Sequence, residues 1–113
     1  MNFKKLFKPI QIGRCLIKNR IAMAPMNTAF LQYFSPTEEA ITERCIYYFV
    51  ERAKGGVGLI ITGAFKVENK IEDGTGWPFV SPKGLNAFAE LTDSVHAYGT
   101  KIFIQLSAGA GRN

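Results

Sequence analysis

Three short, continuous apolar runs separated by two amphipathic stretches are the feature that most limits the folds open to this chain. The runs lie at residues 21–24, 59–62 and 102–106. Apolar runs without polar alternation are typical of strands that are buried on both faces, as in parallel sheets. We therefore expect an α/β fold in which three parallel strands are joined by two crossover helices.

The two stretches between the runs carry signals for the start and the end of a helix. Thr42 provides a hydroxyl cap for the first helix and Gly55 a stop, whereas Ser81 and Pro82 predict the start of the second. The positions expected to face the sheet are Ile46, Phe49, Val50 and Ala53 in the first helix and Leu85, Phe88, Leu91, Thr92 and Val95 in the second. Both helices are thus expected to cover one face of the sheet.

The N-terminal region predicts a hairpin, and the chain length limits how much of a complete α/β fold the chain can form. Residues 7–12 and 16–17 predict a small hairpin that turns at Gly13 and Arg14. The chain has 113 residues, whereas a (β/α)8 barrel takes about 250, and an open three-stranded sheet would expose apolar edges. We therefore expect the chain to be the N-terminal piece of a larger α/β enzyme.

Charge, cysteine and hydropathy patterns exclude several classes of partner. The net charge is +5, but the basic residues are scattered without a long run, so no nucleic-acid partner is expected. Cys15 and Cys45 form no CxxC motif and only His96, predicted to lie on the surface, could join them, so we expect free thiols and no metal site. No apolar run approaches about 18 residues and no signal peptide is recognisable, which favours a cytoplasmic protein without a membrane partner.

Small and amide residues follow each apolar run, in segments 24–28, 62–64 and 105–112. The carboxyl ends of adjacent parallel strands lie at one edge, where α/β enzymes build their sites. Asn27, Thr28, Thr62 and Gln105 offer hydrogen bonds there, and small residues let a flat ligand approach the backbone. The segments contain no nucleophile–base pair, so this edge suits a planar heterocycle whose own ring performs the chemistry.

Three parts of the chain resemble the Old Yellow Enzyme family of FMN-dependent ene-reductases. The similar segments are residues 6–10, 17–21 and 23–26 at the opening, 52–62 at the second strand, and 104–106 with 111–112 at the third. Many simple ene-reductases have a His after the third-strand Gln, whereas this chain has Ser107 to Arg112 without one. In this respect it is more similar to 2-enoate reductases, bile-acid-inducible NADH-dependent reductases and 2,4-dienoyl-CoA reductases.

The resemblance implies that residues 1–113 are the N-terminal part of one (β/α)8 TIM-barrel domain, with the rest of the barrel absent from this chain. It also implies FMN at the carboxyl mouth of the barrel and a set of flavin contacts within this chain. These residues are Pro25, Met26, Asn27, Ala64 and Gln105. Pro25 and Met26 would contact the flavin through their backbone, and Ala64 would pack or bond near the ring. Asn27 stands where the family usually has Thr or Cys at the redox-active edge, and Gln105 would bond the pyrimidine side.

The implied reaction passes hydride from NADH or NADPH through FMN to the carbon–carbon double bond of a small unsaturated carbonyl compound, an enoate or enone. Arg112 would stabilise the barrel mouth. No catalytic residue is assigned, because the family's carbonyl-polarising pair, proton donor and phosphate loop lie in later strands, and the fragment alone is expected to be inactive. The likeness to 2-enoate reductases also implies a 4Fe-4S cluster and an FAD module outside this chain. Whether the protein forms a homo-oligomer is left open.

Two alternatives remain at this point. Gly109 and Gly111 follow an apolar run, as do the first glycines of a dinucleotide-binding fingerprint, which would make the chain half of a doubly wound fold. The chain could instead be a truncated homologue without catalytic activity. FMN bound to the parent protein would exclude this alternative.

Overall fold

The structure is a computed structural model that describes residues 3–27, 34–35, 38–67 and 82–108. In chain order the elements are β1 (Ile10–Ile12), β2 (Cys15–Ile17), β3 (Ala22–Met23), β4 (Phe34–Ser35), β5 (Glu38–Ile41), α1 (Glu43–Lys54), β6 (Leu59–Lys66), a 3-10 turn (Pro82–Gly84), α2 (Leu85–His96) and β7 (Lys101–Ser107). The predicted alternation of strands and helices is confirmed.

A three-stranded sheet in the order β3-β6-β7 forms the centre of the fold, and both of its pairings are parallel. Leu59 of β6 lies between Ala22 of β3 and Lys101 of β7, so the three strands start at the same level. Their carboxyl ends therefore lie at a common edge. This arrangement confirms the prediction of three parallel strands.

Strand β6 is longer than predicted. Gly63 was expected to end it, but the strand continues to Lys66 through an irregularity between Ile61 and Ala64. Ile61 pairs with Phe103 and Ala64 with Gln105, so β6 holds one residue more than β7 over this interval. An extra residue on one strand is accommodated as a bulge, which shifts the alternation of side chains without ending the pairing. The prediction of a strand end at Gly63 was wrong for this reason.

Helix α1 starts and ends close to the predicted positions. The Thr42 hydroxyl accepts a hydrogen bond from the Cys45 nitrogen at 3.3 Å, as expected of an N-cap. Gly55 occupies the C-cap, and the left-handed conformation that turns the chain toward β6 belongs to Gly56, at φ 98°. The predicted apolar positions are buried, together with Cys45.

Helix α2 departs from the prediction at its start. Pro82 begins a 3-10 turn, the α-helix starts at Leu85, and Ser81 lies outside the described residues. Leu85 is the first residue of α2 and is 59% exposed, so its predicted place on the buried face was wrong. Phe88, Leu91 and Val95 are buried as predicted.

The core lies between the sheet and the two helices. It includes Phe49 and Val50 of α1, Ile60 and Phe65 of β6, and Leu91 of α2. On β7, by contrast, Phe103, Ile104 and Leu106 are exposed, because β7 is the edge strand of the three-stranded sheet. The expected burial of this run on both faces is therefore not found among the described residues. No helix in the described ranges is long and apolar enough to cross a membrane.

The N-terminal hairpin is present, with strands β1 and β2 shorter than the predicted runs. Asn19 connects it to the sheet: its amide donates to the Gly56 oxygen at 2.8 Å, and its oxygen accepts from the Ile21 nitrogen at 3.1 Å. A second antiparallel pair, β4 with β5, lies in the long connection between β3 and α1 and was not predicted. Both thiols are free, with Cys15 half-buried and Cys45 buried.

Candidate functional site

The carboxyl ends of β3 and β6 are joined by a hydrogen bond from the backbone of one strand to a side chain beyond the other. The Ala64 nitrogen donates to the side-chain oxygen of Asn27 at 2.8 Å. Ala64 in turn lies opposite Gln105 in the register of β6 and β7. The structure thus brings together residues from all three predicted strand ends.

The bond to Ala64 also determines how the Asn27 side chain is oriented. A backbone N–H can only donate, so the atom that faces it must be the amide oxygen of Asn27. The NH2 group of Asn27 then points away from Ala64 and carries two donors. Asn27 is exposed, so these donors are available to a ligand at the edge.

Thr62 supports this edge from inside the sheet. Its side chain is completely buried, accepts a hydrogen bond from the Gln105 nitrogen at 3.2 Å and donates to the Gly63 oxygen at 2.9 Å. These bonds satisfy backbone groups at the irregularity, where regular strand pairing is interrupted. Thr62, which the sequence offered as a hydrogen-bonding candidate, therefore supports the backbone beneath Gln105.

The face on which Gln105 lies follows from its neighbours on β7. Ile102 packs against the core beneath the helices, and side chains alternate along a strand, so Gln105 lies on the opposite face. Gln105 is exposed there, and within the described residues its side-chain amide makes no hydrogen bond. An amide with free donor and acceptor atoms at a strand end suits a ligand edge that presents both.

The other predicted residues lie at the end of β3. Pro25 and Met26 directly follow this strand and are exposed at the same edge, with Met26 at 50%. Thr28 and Arg112 lie outside the described residues, as do Gly109 and Gly111.

Sequence reasoning missed Lys66 at this edge. The Phe65 ring packs on Phe88 of α2, with ring centroids 5.3 Å apart, so Phe65 faces the helices. Its neighbours Ala64 and Lys66 therefore lie on the opposite face. Lys66 lies beyond the apolar run at 59–62 and beyond the segment 62–64 in which the sequence predicts site residues. The signal that could have found it is the small and apolar continuation after Gly63.

Among the described residues, the titrating groups with shifted pKa values lie on α1. Burial raises the pKa of the Cys45 thiol to about 12. A hydrogen bond to Glu43 raises the pKa of Tyr47, and one to Glu51 raises that of Lys54. The described strand ends therefore offer amides, backbone groups and one lysine rather than an acid–base pair. Such a set can hold and orient a ligand, and it leaves the chemistry to a bound group.

Two curated relatives are similar to almost the whole chain. Cinnamate reductase of Clostridium sporogenes is 44% identical over 115 aligned positions, which cover 97% of this chain and 17% of that enzyme. NADPH dehydrogenase of Bacillus subtilis is 39% identical over 112 positions, covering 96% of this chain and 31% of that enzyme. The chain thus spans less than a third of the length of either relative.

Solved structures and a family profile lead to the same group of proteins. The old yellow enzyme of Trypanosoma cruzi superposes with a TM-score of 0.77 at 28% identity, over 92% of this chain and 27% of that one. The fold described above accordingly corresponds to about a quarter of a TIM-barrel enzyme of the Old Yellow Enzyme type. Residues 5–113 match the profile of the NADH:flavin oxidoreductase / NADH oxidase family, and the chain therefore belongs to that family.

Proposed function

We propose that this chain supplies the flavin-orienting edge of an FMN-dependent ene-reductase. The observation that carries the proposal is the convergence of Asn27, Ala64 and Gln105 at the carboxyl edge of a parallel sheet. Family membership supports FMN as cofactor and NADH or NADPH as reductant.

The residues at this edge fit the ring of FMN. Gly63 has no side chain and that of Ala64 is a single methyl group, so a flat ring can approach β6 closely. The Asn27 NH2 group offers donors, and the Gln105 amide offers both donors and an acceptor. A flavin presents acceptors at its redox-active edge and alternating donors and acceptors on its pyrimidine side. The chemical types at the edge therefore match those of the ring.

We infer that residues 1–113 form the N-terminal part of one FMN-binding barrel domain. The lengths covered in the relatives support this assignment, as does the exposed apolar strand β7, which a further barrel strand would cover. We also propose that a 4Fe-4S cluster and an FAD module accompany the barrel, as the resemblance to 2-enoate reductases implies. That the protein forms a homo-oligomer and that it is located in the cytoplasm are still predictions.

Each residue has a separate task in the proposed reaction. Bound FMN would accept hydride from NAD(P)H and deliver it to the β-carbon of an activated enoate or enone. Asn27 would donate a hydrogen bond to the redox-active edge of the ring, and its own oxygen is held by the Ala64 nitrogen. Gln105 would hold the pyrimidine side of the ring, and the backbone of Pro25 and Met26 would contact it. Preorganised groups of this kind orient the ring at little cost in side-chain entropy.

The test uses what we call the completed barrel: this chain together with the residues that complete the barrel, taken from its own gene or from the remainder of C. sporogenes cinnamate reductase. The purified protein is expected to be yellow, to release FMN on denaturation and to reduce cinnamaldehyde or cinnamate with NADH or NADPH. A colourless protein that does not bind added FMN would contradict the proposal. That result would instead favour the alternative that the chain is a truncated homologue without catalytic activity.

The 113-residue chain alone is expected neither to reduce enoates nor to bind FMN with submicromolar affinity. The resemblance implies that the phosphate loop lies in later strands, and the apolar side chains of β7 are exposed. A titration of the isolated chain with FMN, followed by flavin fluorescence, tests this expectation. Tight binding with turnover would show that the chain is sufficient for the site.

A further inference from the structure

Lys66 is the one charged side chain among the described residues at the three strand ends, which are 24–27, 62–67 and 105–108. It closes β6 and lies opposite Ser107 of β7 in the register. Only 7% of its surface is exposed. Lysine is rarely this buried unless its charge has a function or a partner, because removing an ammonium group from water is costly.

The position of Lys66 relative to the proposed flavin contacts follows from the strand. Because Phe65 packs on Phe88 beneath the helices, Ala64 and Lys66 share the face that also carries Gln105. Lys66 lies two residues beyond Ala64, about 6–7 Å further along the strand toward the mouth. Its backbone therefore lies beyond the level of the proposed ring contacts, toward the carboxyl ends of the strands.

We propose that Lys66 binds the carboxylate of an anionic enoate substrate, an inference that rests on the proposed function. An ammonium group forms strong, charge-assisted hydrogen bonds to a carboxylate, and these strengthen where water is excluded. Lys66 also takes part in an interaction within the chain, but three N–H donors allow it to serve more than one acceptor. The lysine would thereby select enoates over neutral enones of the same shape.

The experiment compares two ligands of the completed barrel that differ in charge and have nearly the same shape, cinnamate and cinnamamide. Each is titrated into the FMN-loaded protein, and the flavin absorbance change gives its Kd. In Lys66→Met we expect the Kd of cinnamate to rise by about tenfold or more, because a charge-assisted pair is lost. The Kd of cinnamamide is expected to stay within about threefold of the parent value.

Matched variants separate the loss of charge from a loss of structure. Lys66→Arg keeps the charge and is expected to retain most of the preference for cinnamate. Lys101→Met removes a lysine from the opposite end of the neighbouring strand β7 and is expected to change neither Kd. If Lys66→Met does not fold, Lys66→Gln provides the same comparison with a polar side chain of similar length.

Three outcomes would overturn the inference. One is an unchanged cinnamate Kd in Lys66→Met or Lys66→Gln. Another is an equal loss of affinity for the acid and the amide, which would indicate that Lys66 supports the flavin or the fold. The third is a parent protein that reduces cinnamaldehyde and shows no binding of cinnamate. A parent protein without FMN or any ene-reduction would contradict the proposed function itself, so the two failures are distinguishable.

Discussion

Asn27 and Ala64 lie 37 residues apart in the chain and are joined by a single hydrogen bond of 2.8 Å between the end of one strand and the backbone of the next. Because the oxygen of the Asn27 amide is engaged, its nitrogen is the group left to face a ligand. The side chain therefore links two strand ends and presents a donor of defined direction.

Two substitutions at Asn27 separate these roles in the completed barrel. Asn27→Asp keeps an acceptor for the Ala64 nitrogen but replaces the NH2 donor with a negatively charged oxygen. Because a carboxylate opposes the negative charge that develops on the ring as it gains electrons, the FMN midpoint potential is expected to fall, on the order of 30 mV for each 1.4 kcal/mol. Asn27→Ala removes the NH2 donor without introducing a charge and is expected to lower the potential less. Spectroelectrochemistry measures both values, and an Asn27→Asp potential equal to that of the parent would place the side chain away from the ring.

How far the sequence predicted this fold can be judged from particular residues. The apolar runs predicted the parallel strands because side chains buried on both faces leave no alternation, and Thr42 marked the start of α1 because its hydroxyl can cap the helix. The extension of β6 to Lys66 was missed because a Gly inside a strand and a Gly at its end have the same local signal. Only the pairing of Ala64 with Gln105, beyond the irregularity, shows that Gly63 lies inside β6 and does not end it.

The candidate site, like the fold, could be predicted from the sequence only in part. The grouping of Pro25, Asn27, Ala64 and Gln105 could be predicted, because parallel strands place their carboxyl ends at one edge. The hydrogen bond from Ala64 to Asn27 could not, since it depends on the direction of one side chain beyond the strand. Their contacts with a flavin stay predictions, which the variants proposed for Asn27 and Gln105 test.

Gly58 provides a test of the packing between the hairpin and the sheet. A Cβ atom at this position would overlap the side-chain oxygen of Asn19 and lie 2.8 Å from its backbone oxygen. Because Asn19 is itself held by Gly56 and Ile21, it cannot move without losing hydrogen bonds. Gly58→Ala is expected to destabilise the completed barrel by about 1–3 kcal/mol. Urea denaturation followed by circular dichroism measures the change.

Gly55→Ala is the matched control for Gly58→Ala. Gly55 has a helical backbone, with φ −66°, and an added Cβ would lie no closer than 3.3 Å to the Arg52 oxygen. This variant is expected to change stability much less. Equal denaturation midpoints for the two variants would argue against the close approach of Asn19 to Gly58.

The buried thiol of Cys45 is expected to resist alkylation in the native protein. Burial raises its pKa to about 12, which leaves about one thiolate in 10,000 at pH 8. Because the folded state holds the thiol protonated, its reaction with iodoacetamide should accelerate only as the pH rises toward 12 or when the protein unfolds. Peptide mass spectrometry follows Cys45 and the half-buried Cys15 separately. Complete labelling of Cys45 within minutes at pH 8 in the folded protein would contradict its burial.

Gln105 provides the most direct test of the flavin site. Its backbone is held by the buried Thr62 hydroxyl, so its amide extends from a rigid strand end and can pair with a donor and an acceptor of the ring. In the completed barrel, Gln105→Ala is expected to weaken FMN binding by roughly 5- to 150-fold, the equivalent of about 1–3 kcal/mol for polar groups left unpaired. Fluorescence titration of the deflavinated protein measures the Kd, and a melting curve reports on stability.

Gln11→Ala serves as the control for Gln105→Ala, because Gln11 is an exposed glutamine of the N-terminal hairpin whose amide donates to the Gly13 oxygen. It is expected to leave the FMN Kd unchanged. Arg112→Ala is expected to affect FMN less than Gln105→Ala, because a charged side chain in a glycine-rich segment is readily solvated. If Gln105→Ala lowers the melting temperature and binds FMN normally, the residue supports the sheet and does not contact the ring. An unchanged Kd and an unchanged midpoint potential would thus remove Gln105 from the site while leaving the fold assignment intact.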